Sequence, residues 1–375
     1  MTFTIPCLFG LEGLVADEVR RLGLGDVRPE TGRVLCTGTE ADIPRLNIGL
    51  RCGERVLIEL AAGPARSFEA LFQLASAVPW EDLIPQNGRF PVKGHALDSQ
   101  LHSVPDCQKT VKKAAADRLG RAYGLERLPE DGPLYQLQFS LLRDQCALYL
   151  DTTGPGLHKR GYRAVGVEAP LRETLAAAMV ILSRFRGKDP FRDPFCGSGT
   201  IPIEAALIAK NRAPGLDRSF AAQRWSWLPS QVWADECERA IDLEYHGDYD
   251  IWGGDVDPAA VELSKANAVK AGVEELVRFE VADATEFSPS EPKGRVVTNP
   301  PYGERILERK EAEKLYAAFG RAWRKVPKGW SLYLLSSHTE FERTFGRNAD
   351  KKRKLYNGML KCDLFQYFER GEGKK

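Results

Sequence analysis

From residue 171 onward, short apolar segments typical of strands alternate with longer segments of helical periodicity. The predicted strands are 191–193, 251–255, 277–281, 296–299 and 330–335. Strands separated by helices pair in parallel, so we expect an α/β fold with a doubly wound, mainly parallel sheet. Two further segments, 354–356 and 359–368, flank Asn357-Gly358, a strong hairpin-turn signal. The sheet is therefore expected to end in an antiparallel hairpin, as in a methyltransferase fold rather than a dehydrogenase.

The N-terminal part of the chain has a different pattern, in which pairs of strands flank helices. Predicted helices are 11–22, 67–77 and 106–123, and predicted strands are 32–37, 55–61, 89–93, 135–141 and 145–150. This α+β pattern indicates one or two small ferredoxin-like units. A turn-rich stretch at 151–156 marks the boundary with the second half, and residues 211–250, rich in Trp and Pro, are interpreted as an insertion.

Length and composition restrict the classes of protein. A chain of 375 residues suggests two or three domains, and its net charge of only +1 means that any nucleic-acid affinity needs a local basic surface. No apolar run approaches the length of a membrane span, and the N-terminus lacks the charged-then-apolar layout of a signal peptide. The eight cysteines include no Cys-x-x-Cys pair, and no two of the five histidines have metal-ligand spacing. We therefore expect a cytoplasmic protein without a metal or a membrane partner.

Residues 193–200 form a glycine-containing turn where the first predicted strand passes into a helix. Gly197 and Gly199 let the backbone turn tightly and approach a ligand closely. A dinucleotide fingerprint would need a third glycine at the position of Pro202. The loop therefore disfavours a phosphate cradle and leaves two interpretations, a nucleoside cofactor site or an ordinary glycine-rich turn.

Acidic residues follow the next two predicted strands. Asp257 and Pro258 suit the N-cap and first position of a helix, which leaves Asp255 unexplained. A carboxylate at a strand's carboxyl end can accept both ribose hydroxyls, and we favour this role for Asp255 over a solvated turn residue. Asp283, followed by Ala284, can accept a hydrogen bond from an adenine amino group or can cap a helix.

The fourth predicted strand ends in Asn299-Pro300-Pro301-Tyr302. The prolines stiffen the backbone and leave its carbonyl groups free. The Asn299 side-chain oxygen and the Pro300 carbonyl can hold the two hydrogens of a base amino group, while Tyr302 stacks on the extruded base. Transfer of a methyl group to that nitrogen is an in-line displacement that positioning can accelerate without a protein nucleophile. The alternative is a strand exit that is merely stiffened by proline.

In these motifs, in residues 157–163 and 169–173 and in residues 354–358, the sequence resembles the bacterial THUMP-domain RNA methyltransferases. These enzymes form N2-methylguanine in large-subunit ribosomal RNA. The resemblance spans nearly the whole chain and implies a Rossmann-like class I methyltransferase domain that uses S-adenosyl-L-methionine. It implies four parts, a ferredoxin-like segment, a THUMP RNA-binding domain, a basic linker and the methyltransferase domain, at 1–54, 55–152, 153–168 and 169–375. The cofactor-binding residues that it implies are Asp193, Phe195, Gly197, Gly199, Thr200, Asp255, Asp283 and Ala284.

Two basic segments are candidates for RNA contact. A helix matching the THUMP module carries Lys109, Lys112 and Lys113, and the linker run 158–163 carries Lys159, Arg160 and Arg163. Such residues can bind phosphates and position a substrate without specifying it. The alternative for both segments is a solvated charged surface.

The tetrad Asn299-Pro300-Pro301-Tyr302 also occurs in adenine-N6 DNA methyltransferases. The tetrad alone therefore does not distinguish guanine from adenine as the methylated base. The Gly303-Glu304-Arg305 extension and the N-terminal half favour guanine in RNA, and the resemblance implies large-subunit ribosomal RNA. The alternatives are an adenine-N6 methyltransferase acting on DNA or RNA, and an inactive RNA-binding assembly factor. Larger family members carry a second methyltransferase domain, which this chain lacks, so the modified nucleotide and the oligomeric state stay open.

Overall fold

The structure is a computed structural model that describes residues 1–163, 171–302 and 306–368. The chain forms two compact units. The first comprises Met1–Cys7, Val15–Leu157 and Arg218–Arg239, and the second comprises Leu8–Leu14, His158–Asp217 and Ala240–Lys375. No helix in the described ranges combines the length and apolar character that a bilayer crossing requires.

The first unit contains a seven-stranded sheet in the order β2-β3-β1-β4-β7-β6-β5. Its strands are β1 (Thr2–Pro6), β2 (Gly25–Glu30), β3 (Arg33–Thr37), β4 (Leu57–Pro64), β5 (Val92–Leu97), β6 (Gln136–Leu142) and β7 (Gln145–Asp151). Its helices are α1 (Glu12–Arg21), α2 (Asp42–Gly49), α3 (Phe68–Ala77) and α4 (Val104–Tyr123), with a 3₁₀ turn at Trp80–Asp82. Strand β4 pairs with both β1 and β7, so one sheet runs through the whole unit.

The three predicted helices of this unit are confirmed, with α4 beginning two residues earlier than predicted, at Val104. The Ser67 side chain accepts a hydrogen bond from the Ala70 amide at the start of α3. Gly124 ends α4 in the left-handed conformation, with φ of 67°. The β6–β7 hairpin is also confirmed. Strands β1 and β2 and helix α2 were not predicted, and β5 begins three residues later than predicted, at Val92–Leu97 instead of 89–93.

The Trp-rich segment predicted as an insertion lies largely in the first unit. Within that unit, the Trp225 indole stacks on Tyr135 at a centroid distance of 5.2 Å. The Trp225 Nε1 group also donates to the Leu134 carbonyl at 2.9 Å. Apolar packing therefore assigns Arg218–Arg239 to the N-terminal unit, although the segment interrupts the second half of the sequence.

The second unit contains a seven-stranded sheet in the order β10-β9-β8-β11-β12-β14-β13. Its strands are β8 (Phe191–Asp193), β9 (Ile251–Asp255), β10 (Val277–Val281), β11 (Lys293–Thr298), β12 (Gly329–Ser336), β13 (Lys351–Asn357) and β14 (Leu360–Tyr367). The helices are α5 (Glu173–Leu182), α6 (Thr200–Ala209), α7 (Ser230–Asp242, which begins in the first unit), α8 (Pro258–Lys270), α9 (Ile306–Trp323) and α10 (Phe341–Phe345). Short 3₁₀ turns lie at Glu274–Leu276 and Ala284–Glu286, and another, at Ala221–Arg224, belongs to the first unit.

The predicted sheet topology is confirmed. Strands β8 to β12 pair in parallel, and β14 runs antiparallel between β12 and β13. Strand β8 lies in the middle, where its residues are buried, as expected for a parallel strand that is covered on both faces. Because these strands are parallel, the carboxyl ends of β8, β9, β10 and β11 lie along one edge of the sheet.

Candidate active site

The loop between β8 and α6 contains two glycines with different roles. Gly197 has φ of +53°, and a Cβ atom added there would meet no atom within 4 Å. Gly199 has φ of +80°, but an added Cβ would lie 2.9 Å from the Ser264 Cβ atom. Gly199 is therefore needed for close packing on α8, while Gly197 borders open space that a ligand can enter.

Two side chains of α8 fix the carbonyl groups of this loop. The Ser264 hydroxyl donates to the Gly197 carbonyl at 2.7 Å, and the Asn267 amide donates to the Ser198 carbonyl at 2.9 Å. Both side chains are fully buried. Sequence reasoning missed them, and the available signal was two polar residues three positions apart on the buried side of a helix.

Asp255, at the end of β9, ties the loop to the next strand. Its Oδ2 atom accepts the Gly197 amide at 2.9 Å, and its Oδ1 atom accepts the Asp257 amide at 3.0 Å. Asp257 caps α8 by accepting the Ala259 amide at 2.9 Å, which confirms its predicted structural role. Each carboxylate oxygen has a second lone pair, so Asp255 retains acceptor capacity for a ligand.

Asp193, at the end of β8, is buried, and only one of its two carboxylate oxygens accepts hydrogen bonds from the described residues. Its Oδ1 atom accepts the Thr298 hydroxyl at 2.6 Å and the Phe195 amide at 3.2 Å. Its Oδ2 atom is buried and has no hydrogen-bond partner within the described part of the chain. Burial raises the pKa of this carboxyl group to about 7. A buried carboxylate with an unused oxygen fits a cationic ligand group.

Asp283 follows β10 and caps the short 3₁₀ turn that begins at Ala284. Its Oδ1 atom accepts both the amide and the hydroxyl of Thr285, at 2.8 and 2.7 Å. The capping interpretation of Asp283 therefore holds, but Asp283 is exposed and the cap uses only one of its two oxygens. The adjacent Ala284 is buried.

The Asn299–Tyr302 tetrad is held from two sides. The Tyr302 hydroxyl donates a hydrogen bond to the Asn299 side-chain oxygen. The Pro301 carbonyl accepts the Tyr316 hydroxyl of α9 at 2.6 Å. Burial, with Cys362 of β14 nearby, holds the Tyr302 pKa well above its ordinary value, so its hydroxyl stays a donor. Residues 303–305 lie outside the described residues.

The structure corrects the proposed RNA contact of Arg160. Only 2 % of its side chain is exposed, and its guanidinium group pairs with the fully buried Glu204 of α6 at 3.5 Å. Tyr162 donates to the same Glu204 oxygen at 3.1 Å. A charged group is stable in the interior only when it is paired, so Arg160 is a structural residue and not a phosphate contact.

Arg163 also points inward, toward the loop between β8 and α6. Its Nη2 atom donates to the Thr200 hydroxyl at 2.7 Å and to the Leu171 carbonyl at 2.8 Å. Arg163 therefore fixes Thr200, the first residue of α6. Because its guanidinium group is used in these internal hydrogen bonds, the prediction that it contacts an RNA phosphate is wrong. Residues 164–170, including the predicted Ala169-Pro170 motif, lie outside the described residues.

The remaining lysine candidates differ in exposure. Lys109, Lys113 and Lys159 are exposed. Lys112 is half-buried, pairs with Glu130 at 2.5 Å and lies 3.4 Å from the centroid of the Phe90 ring. Within the described ranges, no group of three or more His, Cys, Asp or Glu side chains has the arrangement of a metal site.

A parallel sheet with a terminal antiparallel hairpin, and with a glycine loop and acidic residues at its strand ends, defines a class I S-adenosylmethionine-dependent methyltransferase. Family comparison agrees. The chain belongs to the family described as "RMKL-like, methyltransferase domain", which matches residues 160–366. The RlmL ferredoxin-like domain matches residues 2–57, and the THUMP domain matches residues 65–151. The finer boundaries at residues 54, 152 and 168 stay predictions.

Curated relatives extend over most of the chain. It is 42% identical over 367 residues to YpsC of Bacillus subtilis (strain 168), a provisionally assigned RNA methyltransferase, covering 96% of this chain and 94% of YpsC. It is 33% identical over 361 residues to ribosomal RNA large subunit methyltransferase K/L of Shewanella baltica (strain OS195). That alignment covers 94% of this chain and 51% of the relative, so the chain spans about half the length of the K/L enzyme.

Solved structures share the whole fold. A predicted N6-adenine-specific DNA methylase from Listeria monocytogenes is 44% identical, with a TM-score of 0.93 and coverage of 98% of this chain and 96% of that one. SMU.472, a provisionally assigned methyltransferase in complex with SAH, is 40% identical, with a TM-score of 0.92 and coverage of 99% of both chains. SAH is what remains of S-adenosylmethionine after it donates its methyl group. The cofactor of this family is therefore S-adenosylmethionine.

Proposed function

We propose that this protein transfers a methyl group from S-adenosylmethionine to the exocyclic N2 amino group of a guanine in RNA, specifically large-subunit ribosomal RNA. The observation that carries the proposal is the hydrogen bond from Thr298 to Asp193. It joins the strand end that precedes Asn299 to the strand end that begins the cofactor loop. A methyl donor in the loop and a base held by Asn299 would thus meet at adjacent strand ends.

The tetrad supplies acceptors for the amino group. The Asn299 side-chain oxygen and the Pro300 carbonyl each accept a hydrogen bond from the amino group. This arrangement turns the nitrogen lone pair out of the base plane and toward the methyl carbon. The bond from nitrogen to carbon forms while the carbon–sulfur bond breaks, and its electron pair leaves on sulfur. The positively charged nitrogen then releases one proton to water, which leaves the methylated base neutral. Positioning and fixed dipoles carry the rate, so no covalent intermediate with the protein is needed.

The loop residues have matching roles toward the cofactor. The unpartnered Oδ2 atom of Asp193 suits the ammonium group of the methionine part, and the open space at Gly197 admits its chain. Asp255 suits the ribose hydroxyls, and the second oxygen of Asp283 suits the adenine amino group. Further contacts are assigned to the flanking positions Phe195, Gly199, Thr200 and Ala284.

RNA as the substrate is supported by the THUMP match and by the described activities of the relatives. The exposed Lys109, Lys113 and Lys159 supply candidate phosphate contacts. Guanine is favoured by the Gly303-Glu304-Arg305 extension of the tetrad and by the THUMP-like N-terminal half. Adenine-N6 methylation is the second candidate, because the Listeria structure carries that description and the tetrad suits either amino group.

The test is transfer of a labelled methyl group by the full chain to two substrates offered separately. One is unmodified large-subunit ribosomal RNA and the other is double-stranded DNA of mixed sequence. The proposal predicts label in the RNA and none in the DNA above the level without protein. Label in DNA alone would replace the proposed function with the second candidate.

A further inference from the structure

Tyr316 connects the interior of the second unit to the tetrad. It lies on α9, is fully buried, and packs edge-on against Phe341 at a centroid distance of 5.0 Å. Its hydroxyl oxygen lies 2.6 Å from the Pro301 carbonyl oxygen. A carbonyl oxygen can only accept, so Tyr316 is the donor. The ring is fixed by packing, and the hydrogen bond transmits that fixed position to the loop.

The backbone of the tetrad offers few hydrogen-bond donors. Pro300 and Pro301 have no amide hydrogen, so neither can donate a backbone hydrogen bond. The Pro301 carbonyl is therefore a main point of attachment in the middle of the tetrad. Fixing its direction fixes the peptide plane and, through the stiff proline pair, the aim of the Pro300 carbonyl and the Asn299 side chain.

A second layer of hydrogen bonds orients the Tyr316 hydroxyl. The hydroxyl lies 3.3 Å from the Ser336 Oγ atom at the end of β12, and Ser336 accepts the His338 amide at 3.1 Å. Because Tyr316 has already given its single hydrogen to Pro301, Ser336 must donate to Tyr316. The result is a directional series from the His338 amide through Ser336 and Tyr316 to Pro301, in which each bond polarises the next.

His338 also joins the end of β12 to α9. Its Nδ1 atom accepts the Glu340 amide at 3.1 Å. Its Nε2 atom lies 3.1 Å from the Glu313 carboxylate and 3.3 Å from the Arg309 Nε atom, both on α9. The helix that carries Tyr316 and the strand end that orients its hydroxyl are thus held together.

We propose that Tyr316 is a positioning residue for methyl transfer, which holds the acceptors of the tetrad in the geometry that the reacting amino group requires. The inference rests on the proposed role of the tetrad and adds a residue that touches neither substrate nor cofactor. Its loss should lower the rate of the bound complex without weakening cofactor binding. A displacement of about 1 Å can cost about a hundredfold in rate, so one hydrogen bond at this position has a large effect.

The chain offers a matched control in Tyr367. It is also fully buried in the same hydrophobic cluster and also donates to a backbone carbonyl, that of Arg347, at 3.1 Å. Tyr367→Phe and Tyr316→Phe therefore each remove one buried hydrogen bond to a carbonyl group. Only Tyr316→Phe removes a hydrogen bond to the tetrad.

The experiment measures kcat, KM for unmodified large-subunit ribosomal RNA and Kd for SAH in both variants of the full chain. Tyr316→Phe should lower kcat about ten- to a hundredfold and leave KM and Kd within about twofold. Tyr367→Phe should keep all three values within about twofold. Equal kcat in the two variants, or a loss confined to Kd, would overturn the proposal. Ser336→Ala, which removes only the orienting hydroxyl, should lower kcat to a smaller extent, and serves if Tyr316→Phe does not fold.

A second readout needs no RNA and separates this inference from the proposed function. Hydrogen exchange of a peptide that contains residues 299–302 should be faster in Tyr316→Phe than in wild type and unchanged in Tyr367→Phe. Equal exchange in both variants would overturn the positioning role even if the protein methylates RNA. Faster exchange in Tyr316→Phe only, with no wild-type activity on RNA, would support the positioning of the loop while contradicting the proposed substrate.

Discussion

The hydroxyl group of Tyr302 donates a hydrogen bond to the side-chain oxygen of Asn299. This oxygen is the one that the proposed mechanism assigns to the amino group of the base. Without a base, the half-buried Asn299 thus has its acceptor satisfied by its own loop. In the proposed mechanism, a bound base competes with the Tyr302 hydroxyl for this oxygen, and the Tyr302 ring is the surface on which the base stacks.

Substituting Tyr302 separates these two roles. Tyr302→Phe keeps the ring and removes the competing donor, so KM for RNA should fall up to about fivefold, as expected for one net hydrogen bond. Tyr302→Ala also removes the ring, so KM should rise about tenfold or more, since stacking on an aromatic side chain contributes about 1–3 kcal/mol per base. Steady-state kinetics with RNA checks both. Identical kinetics for the two variants would show that the ring does not stack on the substrate.

The raised pKa of the buried Asp193 carboxyl group predicts that the free energy of unfolding depends on pH. Burial raises its pKa from the ordinary value of 3.8 to about 7, so the folded protein without cofactor holds this proton more tightly than the unfolded chain does. The resulting stabilisation is fully present below the unfolded pKa and is lost as pH rises through about 7. At about 1.4 kcal/mol per pKa unit, the change is at most about 4 kcal/mol.

Urea unfolding of the free protein between pH 5 and pH 8 measures this effect. Wild type should lose stability relative to Asp193→Asn, which cannot titrate, across that interval. Cofactor affinity of wild type should change in the opposite direction and increase with pH, because the ionised carboxylate binds the ammonium group. A stability difference that stays constant from pH 5 to pH 8 would contradict the raised pKa.

Asp255 and Asp257 make a matched pair for cofactor binding. Asp255→Asn should weaken S-adenosylmethionine binding about ten- to a hundredfold, because it loses an acceptor for the ribose and for the Gly197 amide. Asp257→Asn keeps an N-cap acceptor and should bind the cofactor as wild type does. Isothermal titration calorimetry gives both dissociation constants. Equal weakening in the two variants would remove Asp255 from the cofactor site.

Substitution of exposed basic residues should weaken RNA binding, whereas substitution of the buried Arg160 should lower stability. Replacing Lys109, Lys113 and Lys159 together with Gln should weaken RNA binding and reduce the slope of log K against log salt by about 2 to 3. Arg160→Gln should leave the slope unchanged and lower the free energy of unfolding by about 3–5 kcal/mol, because it leaves Glu204 charged and buried. Binding titrations at several salt concentrations test the prediction for RNA binding, and urea unfolding tests the prediction for stability. A reduced slope in Arg160→Gln would show that the arginine reaches RNA after all.

The sequence was sufficient for the methyltransferase sheet because its signals are local. Strands β11 and β12 contain continuous apolar segments, and the polar residues of the site stand at or directly after the ends of β8, β9 and β11. Parallel pairing then brings Asp193, Asp255 and Asn299 to one edge without further information. Edge strand β2 was missed for the converse reason, since five of its six residues are exposed and no apolar alternation marks it.

Long-range pairing explains the remaining differences. Arg160 was taken as part of a solvated basic run, and its partner Glu204 is 44 positions away on a helix that is otherwise apolar. Tyr316 carried no signal at all, since a tyrosine in a helix usually reads as a core residue. Only the tertiary fold shows that its hydroxyl faces the Pro301 carbonyl.

The central claim is the identity of the methylated atom, and nucleoside analysis tests it most directly. Unmodified large-subunit ribosomal RNA is incubated with S-adenosylmethionine and wild-type protein, digested to nucleosides and separated by liquid chromatography with mass spectrometry. Asn299→Ala serves as the blank, and Asn348→Ala, which changes an exposed asparagine, serves as the active control. We expect N2-methylguanosine with wild type and with Asn348→Ala, and about a hundredfold less or none with Asn299→Ala. N6-methyladenosine as the product, or equal N2-methylguanosine with Asn299→Ala, would contradict the account.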